Sequence, residues 1–387
     1  MKKTIKVLIC IDWFLPAYKA GGPIQSISNL VNHLKDEFDI FIATSNTDLG
    51  ERLDLGTALL NTWLTKDGYK IIYLDQQHQN LKFYKAIFIP QNFDVVYFNS
   101  LFSFKFTLLP LLIFKEIKMR RVLAPRGMLG EGALAIKPFK KRVFLKLFRL
   151  FQLHEKVIWH ATANSEVKEI IAHFGKRKEL ILAPNLSAKI DTKYHPKKKV
   201  QNRIKIFFLS RIAIKKNLIG AISYLSKIDK SYKVEFTIIG PVDEEKYWKK
   251  CKYEIDKLSQ NIEVIILGAV PNHKLAAILD EQHILLLPTH HENFGHVIME
   301  SWQRGCPVVI SDKTPWRNLR KKHLGFDISL NNSTDFINAI ELFSMMNENT
   351  YNEWSKSAFK YAKAFTENVS LLEQNKALFL NAVNDNR

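Results

Sequence analysis

The sequence predicts an α/β protein built as two Rossmann-like domains, each a parallel sheet flanked by helices. Three observations carry this. The chain has 387 residues, and at roughly 100–200 residues per domain that length suits two cores rather than one. Apolar runs of strand length alternate with helix-length segments throughout, the pattern of βαβ units. A polar stretch near the middle divides the runs into two sets.

In the first half the strand-like runs are 5–11, 38–44, 69–74, 95–99, 121–124, 157–161 and 180–182. In the second they are 205–209, 234–239, 263–267, 284–287 and 308–310. Helical segments are expected at 24–34, 165–174, 244–258 and 333–343. A helix over 294–304 should place Val297, Ile298 and Ser301 inward. The stretch 187–203 contains Pro196 followed by Lys197, Lys198 and Lys199, lacks apolar periodicity and reads as a linker. The expected organisation is therefore a first domain over 1–190, a linker over 191–203, a second domain over 204–365 and a C-terminal helix within 366–387.

Composition narrows the function classes. The chain is 47% hydrophobic and 25% charged, ordinary for a globular protein with large cores. No apolar run reaches the roughly 18–20 residues that span a bilayer. The basic, then apolar start resembles a signal peptide, but Asp12, Trp13 and Pro16 interrupt it, so a first strand is the better reading. Cys10, Cys251 and Cys306 lack metal or redox spacing, which points to buried thiols in a reducing, cytoplasmic setting. The net charge of +19 predicts attraction to a polyanion: nucleic acid, acidic lipid or a phosphorylated substrate. A Lys-rich surface with no specific partner is the plain alternative.

The most informative stretch is Thr289-His290-His291-Glu292-Asn293-Phe294-Gly295-His296-Val297-Ile298-Met299-Glu300. It leaves the carboxyl end of the 284–287 strand and enters a helix, the place where open α/β sheets bind ligands. The first helical amides, near Phe294 and Gly295, favour an anion there. One carboxylate in the loop and a second along the helix can grip two hydroxyl-bearing rings with phosphate between them, which is the outline of a sugar nucleotide. After the strand 205–209 come Arg211 and Lys216, cations able to neutralise a diphosphate. After the first strand, Gly21 and Gly22 precede a helix with Pro23 in its first turn, so the backbone there can approach a ligand closely.

The Glu292 to Glu300 segment, followed by Gly305-Cys306-Pro307-Val308-Val309, resembles the donor-site signature of glycosyltransferase family 4, retaining nucleotide-sugar-dependent enzymes of the GT-B fold. The resemblance implies two Rossmann-like domains facing across a cleft, with the last helix returning to the first domain. It implies that Glu300 binds ribose hydroxyls and Glu292 sugar hydroxyls. Asn293, Phe294, Gly295 and His296 would supply backbone contacts to the diphosphate, with Arg211, Lys216 and the Gly21-Gly22 loop. The Arg211 to Lys216 spacing matches the family pattern, although Ser210 and Asn217 stand where glycines are usual. The turns 239–243 and 267–271 would border the nucleobase. Pro125-Arg126-Gly127-Met128-Leu129 resembles a motif of one branch of the family, making Arg126 and Asn99 acceptor-side candidates where relatives often carry histidines.

No metal or other cofactor is expected. Asp-x-Asp does not occur, and His290, His291 and His296 lack zinc-site spacing. Residues 137–151 form a basic amphipathic helix with Val143, Phe144, Leu147, Phe148, Leu150 and Phe151 as an apolar stripe, which predicts docking on an anionic membrane. The expected activity is transfer of a hexose from a nucleoside diphosphate sugar to a glycan or lipid-linked acceptor, in polysaccharide or lipid-linked glycan assembly. Such an enzyme would be cytoplasmic and peripheral at the inner membrane face. A sugar-nucleotide epimerase of the same fold and a basic nucleic-acid-binding protein are the rivals. No recognition motif supports the latter, so nucleic acid is not an expected partner.

Overall fold

The computed structural model describes residues 4–384, apart from 115, 116, 118, 136, 156, 177, 178, 191 and 192. The chain forms two compact units, Met1–Leu186 with Asn368–Arg387, and Ser187–Glu367. Among the described residues no helix is long and apolar enough to cross a membrane.

The first unit holds β1 (Lys6–Cys10), β2 (Asp39–Ser45), the short pair β3 (Thr47–Asp48) and β4 (Glu51–Arg52), β5 (Leu64–Lys66), β6 (Tyr69–Leu74), β7 (Val95–Phe98), β8 (Arg120–Leu123), β9 (Ile158–Ala161) and β10 (Leu180–Leu182). Its main sheet runs β10-β9-β8-β7-β1-β2-β6-β5. All pairings are parallel except β5 against β6. Strand residues alternate between two cores, as the two-residue period requires. Leu8, Cys10, Val96 and Phe98 enter one cluster, while Val7, Ile9, Val95 and Tyr97 enter the other. Cover on both faces explains why these strands read as unbroken apolar runs. Each such side chain contributes about 1.5–3 kcal/mol on full burial. The helix Gly22–Leu34 closes the second cluster with Ile27, Leu30, Val31 and Leu34. The final helix, Val369–Asn384, joins the same cluster through Leu378 and Phe379. The Phe379 ring meets Phe38 at 5.5 Å and Tyr97 at 5.9 Å.

The second unit holds β11 (Arg203–Leu209), β12 (Lys233–Ile239), β13 (Ile262–Gly268), β14 (Ile284–Leu287), β15 (Val308–Ser311) and β16 (Gly325–Ile328). They form one sheet in the order β13-β12-β11-β14-β15-β16, parallel throughout. In both sheets the strand order reverses at one seam, between β1 and β7 in the first and between β11 and β14 in the second. The crevice outside the carboxyl ends of such a seam is where ligands bind in this architecture.

Two lysines of the stretch expected to be a linker pack into the second unit. Lys197 is 8% exposed, and its amine donates to the carbonyls of Leu279 (2.7 Å), Asp280 (3.0 Å) and Gln282 (2.7 Å). Lys199 is 4% exposed and donates to Ser344 (3.1 Å) and Met346 (3.2 Å). Those carbonyls lie at the ends of the helices Asn272–Asp280 and Ser333–Met345. Two lysines therefore satisfy carboxyl-terminal carbonyls that the helices leave unbonded, while their stems pack along apolar surface. Burial pulls the Lys199 amine down to about 8. Polarity that read as solvent exposure is buried capping.

Candidate active site

In the second unit the loops leaving β11 and β14 are stapled together. The Lys215 carbonyl accepts from the His290 amide at 2.8 Å and the Thr289 hydroxyl at 3.1 Å. Asn217 donates to the Pro288 carbonyl at 2.9 Å. Asn217 also takes a left-handed backbone (φ 58) and caps the helix Leu218–Leu225, two tasks that asparagine tolerates well. This stapling brings the Lys216 amine against the Glu292 carboxylate, with side chains only 16% and 12% exposed. On its other side the Glu292 amide donates to the Lys313 carbonyl at 2.9 Å. The cation and the carboxylate assigned separate tasks from the sequence are each other's partners.

Arg211 stands on the same β11 loop but pairs elsewhere, its guanidinium reaching the Asp243 carboxylate at 2.7 Å. Asp243 ends the turn 239–243 after β12, which the sequence marked as a turn without marking this carboxylate as a partner of Arg211.

The helix after β14 runs His296–Gln303, two residues later than expected at its start. Gly295 is the reason: its φ of 76 is left-handed, which glycine alone adopts without strain, so the helix begins after it. The buried face becomes Ile298, Met299, Ser301 and Trp302, and Val297 is half-buried. Phe294 is a core residue whose ring meets Trp316 at 5.4 Å, and its carbonyl accepts from the Trp316 indole at 2.6 Å. It fixes the loop, and its side chain is committed to packing. The cap residue Gly295 brings no side chain to the first amides, and the helix start with its dipole lies beside the loop that carries Glu292. A Cβ placed on Gly295 would lie 3.7 Å from Glu292 Cγ, so that carboxylate arm runs beside the helix start. His296 and Glu300, four residues apart, share one half-buried face. Asn293 is half-buried in the loop between them and Glu292. Burial pushes the His291 ring down from its ordinary value. Among the described residues no group of three or more His, Cys, Asp or Glu is arranged to hold a metal ion.

A cavity of about 1140 Å³ opens at the opposite edge of this sheet, among Lys197, Arg203, Lys205, Lys233 and His283. It lies at the amino ends of β11 and β12 and touches none of the candidate donor-site residues. The Lys216–Glu292 pair lies instead at the carboxyl ends of β11 and β14, the side on which sheets of this kind bind ligands.

The first unit carries its own polar cluster at the ends of β7 and β8. Arg126 donates to Asn99 (2.6 Å), to the Tyr97 hydroxyl (2.8 Å) and to Asn185. The Tyr97 hydroxyl meets His160 Nδ1 at 2.8 Å, and His160 Nε2 lies 2.7 Å from the Ala183 carbonyl. Burial, reinforced by the Arg126 charge, drives His160 down to about 3, so the ring is neutral. A neutral ring bonded to a carbonyl through Nε2 must donate there and accept from Tyr97 at Nδ1. The Tyr97 oxygen is then free to accept from Arg126, which makes the chain of donors consistent. Arg126 is thus a hub bonded to neutral groups, while the Asn99 Nδ2 amide is buried without a hydrogen-bond partner.

Gly21 (φ 69) caps the helix Gly22–Leu34, and the turn before it is pinned by Asp48, which accepts from the Tyr18 and Lys19 amides. A Cβ at Gly21 or Gly22 would meet nothing within 4 Å. Positive φ accounts for Gly21, whereas at Gly22 the open space itself is the notable property.

Residues 190–361 match the family model described as glycosyl transferases group 1. Over 127 residues the chain is 27% identical to the capsular polysaccharide biosynthesis glycosyltransferase CapM of Staphylococcus aureus, a stretch covering 33% of this chain and 32% of that protein. The match thus spans about a third of that relative's length. Among solved structures, sucrose-phosphate synthase from Thermosynechococcus elongatus superposes with a TM-score of 0.74 at 12% identity, covering 99% of this chain and 100% of that one. HepE of Anabaena, solved in complex with UDP and glucose, gives 0.69 at 14% identity, covering 96% and 98%. At such identities the likeness speaks to fold, and the fold is that of GT-B glycosyltransferases.

Proposed function

The chain carries a glycosyl transferases group 1 domain at residues 190–361, and on that premise we propose that it transfers a hexose, with retention, from a nucleoside diphosphate sugar to a glycan or lipid-linked acceptor. The observation that carries this reading is the Lys216–Glu292 pair at the β11/β14 seam, beside a helix start whose cap residue is Gly295. A diphosphate arriving there draws Lys216 and Arg211 away from Glu292 and Asp243, because two phosphates outbid single carboxylates for these cations. The amides of residues 293–296 and the helix dipole complete its neutralisation. Glu292, released from Lys216, accepts hydroxyls of the sugar, and Glu300 those of the ribose. Charge developing on the departing diphosphate is stabilised by these fixed donors, so the reaction proceeds without a metal ion. Departure and attack occur on one face of the sugar, and no covalent nucleophile is assigned. Within the first unit, Gly21 and Gly22 offer open backbone, and Arg126 with Asn99 is the candidate acceptor-side pair.

A thermal-shift panel of UDP-, GDP- and ADP-sugars tests this directly. One base should stabilise the protein, Lys216→Ala should abolish that shift, and the product should keep the donor's anomeric configuration by NMR. Absence of any shift across the panel rejects the reading.

The basic helix supports a membrane-facing acceptor. The structure corrects its apolar stripe, which divides in two: Leu145 and Phe148 are buried in the core with Phe144 against them, while Phe139, Val143, Leu147 and Leu150 face outward. Phe139 is 78% and Leu150 71% exposed, an unusual placement for such side chains. Lys140, Arg142, Lys146 and Arg149 surround them, and each basic side chain near an anionic surface contributes about 1 kcal/mol. The protein should sediment with anionic but not neutral liposomes, and Phe139→Ser with Leu150→Ser should reduce that recovery several-fold. Equal recovery with both lipids would remove the membrane from this account.

A further inference from the structure

The first unit's seam carries a second feature that the donor chemistry leaves unused. Asp12 follows β1 directly, and across the seam Ser103, beyond β7, donates its hydroxyl to Asp12 Oδ1 at 2.7 Å. Among the described residues Ser103 is the one side chain hydrogen-bonded to this carboxylate, and no cation pairs with it. The backbone carbonyl of Asp12 is bound by the Ser45 hydroxyl at 2.6 Å, which locks the turn. The carboxylate lines a crevice of about 620 Å³ at the ends of β1, β2 and β6. That size lies within the roughly 300–1,000 Å³ typical of small-molecule sites.

The rest of the lining sets the ligand chemistry. Asp75 is occupied: it accepts from Asn61 at 2.9 Å and from the Gln77 and His78 amides at 3.0 Å. Burial works against its ionisation, yet the hydrogen bonds from Asn61 and His78 hold it at about 2. Lys105 is occupied as well, donating to the Gln79 carbonyl at 3.0 Å. What remains for a ligand is Asp12, the exposed Arg52 guanidinium, the amides of Asn46, Gln76 and Gln77, and the indole of Trp13. The lining sets two carboxylates, Asp12 and Asp75, against two cations, Arg52 and Lys105, so it favours no net charge on the ligand. A neutral ring rich in hydroxyls would donate to the Asp12 carboxylate, exchange hydrogen bonds with the amides and lay an apolar face on the indole.

We propose that this crevice binds a neutral pyranose, the accepting sugar of the transfer reaction, with Asp12 taking a ring hydroxyl and Trp13 supplying the stacking face. The assignment of that sugar as acceptor rests on the glycosyl-transfer reading; the binding site itself rests on the crevice.

Burial pushes the Asp12 carboxyl above its ordinary 3.8, so its ionised form weakens the fold at every pH above that value. Asp12→Asn should therefore match or exceed the wild-type melting temperature at neutral pH, with the gain vanishing well below 3.8. Gln77 is exposed, so Gln77→Ala leaves folding unchanged. Saturation-transfer NMR on the full chain, with methyl α-glucopyranoside, methyl α-galactopyranoside and methyl α-mannopyranoside as probes, measures the site. At least one probe should bind the wild type, and its affinity should fall about tenfold or more in Asp12→Asn and Gln77→Ala. Stabilisation by the nucleotide sugar should persist in both variants. Equal probe signals in wild type and variants, or no wild-type signal from any probe, overturns the proposal. Probe binding that depends on Asp12 in a protein that binds no nucleotide sugar sustains the sugar site while rejecting the transfer reading.

Discussion

Glu292→Gln lowers glycosyl transfer by about 10²–10³-fold, the range seen when one fixed polar contact to a reacting centre is removed. The amide keeps the shape and a hydrogen bond to Lys216, so folding is preserved and the loss reports chemistry. Glu292→Ala differs. It leaves the Lys216 ammonium, 16% exposed, without its partner, which costs about 1–3 kcal/mol of stability. Lys216→Ala strands Glu292 in the same way. Combining the two alanines should be less destabilising than the sum of the singles, with a coupling of about 0.5–3 kcal/mol. Activity should not follow that pattern: in the proposed reaction both residues act on the donor, so the double variant should be no better than the worse single. Transfer at wild-type rate by Glu292→Gln would remove this carboxylate from the reaction.

Arg126→Ala produces the largest loss of stability. The substitution deprives Tyr97, Asn99 and Asn185 of a donor in a cluster where those residues are 0%, 2% and 6% exposed. At about 1–3 kcal/mol for a buried group left unsatisfied, part of it recoverable by water, a loss of about 2–4 kcal/mol is expected. Arg126→Lys should recover little, because an ammonium cannot reach three acceptors spread over a planar fork. Arg126 also holds a left-handed backbone, φ 57, so Arg126→Gly relieves about 1 kcal/mol of that strain and separates it from the network. Denaturant midpoints for the three variants measure the order Lys and Gly above Ala, all below wild type. An alanine variant as stable as the parent would mean that the guanidinium holds nothing together.

The strands were legible because a strand buried on both faces must be apolar along its length, as β7 and β14 are and as β1 is after Lys6. β16 escaped notice because Gly325 and Asp327 break its four residues, and β5 because it is a short antiparallel edge. The loop carrying Glu292 was legible as a list of residues. Its pairing was not, since Lys216 and Glu292 meet only because β11 and β14 are neighbours across the seam, 76 positions apart. The same holds for Arg211 with Asp243 and for Arg126 with Tyr97 and Asn185. Asp12 carried no motif: its meaning arises from Ser103 on the far side of the β1/β7 seam. Lys197 and Lys199 misled because a buried amine that caps a helix has the same letter as a solvated one.

The helix Val369–Asn384 completes a core begun by β1, β2 and β7. During synthesis the opening 186 residues leave the ribosome with one wall of that core still missing. Residues 187–367 emerge next with all their strands and can condense without waiting. The part made first is therefore finished last. A premature stop or a protease nick shortly before Asn368 injures the beginning of the protein, not its middle, and stripping Leu378 and Phe379 from Phe38 and Tyr97 leaves an early-made, oily surface for chaperones to recognise.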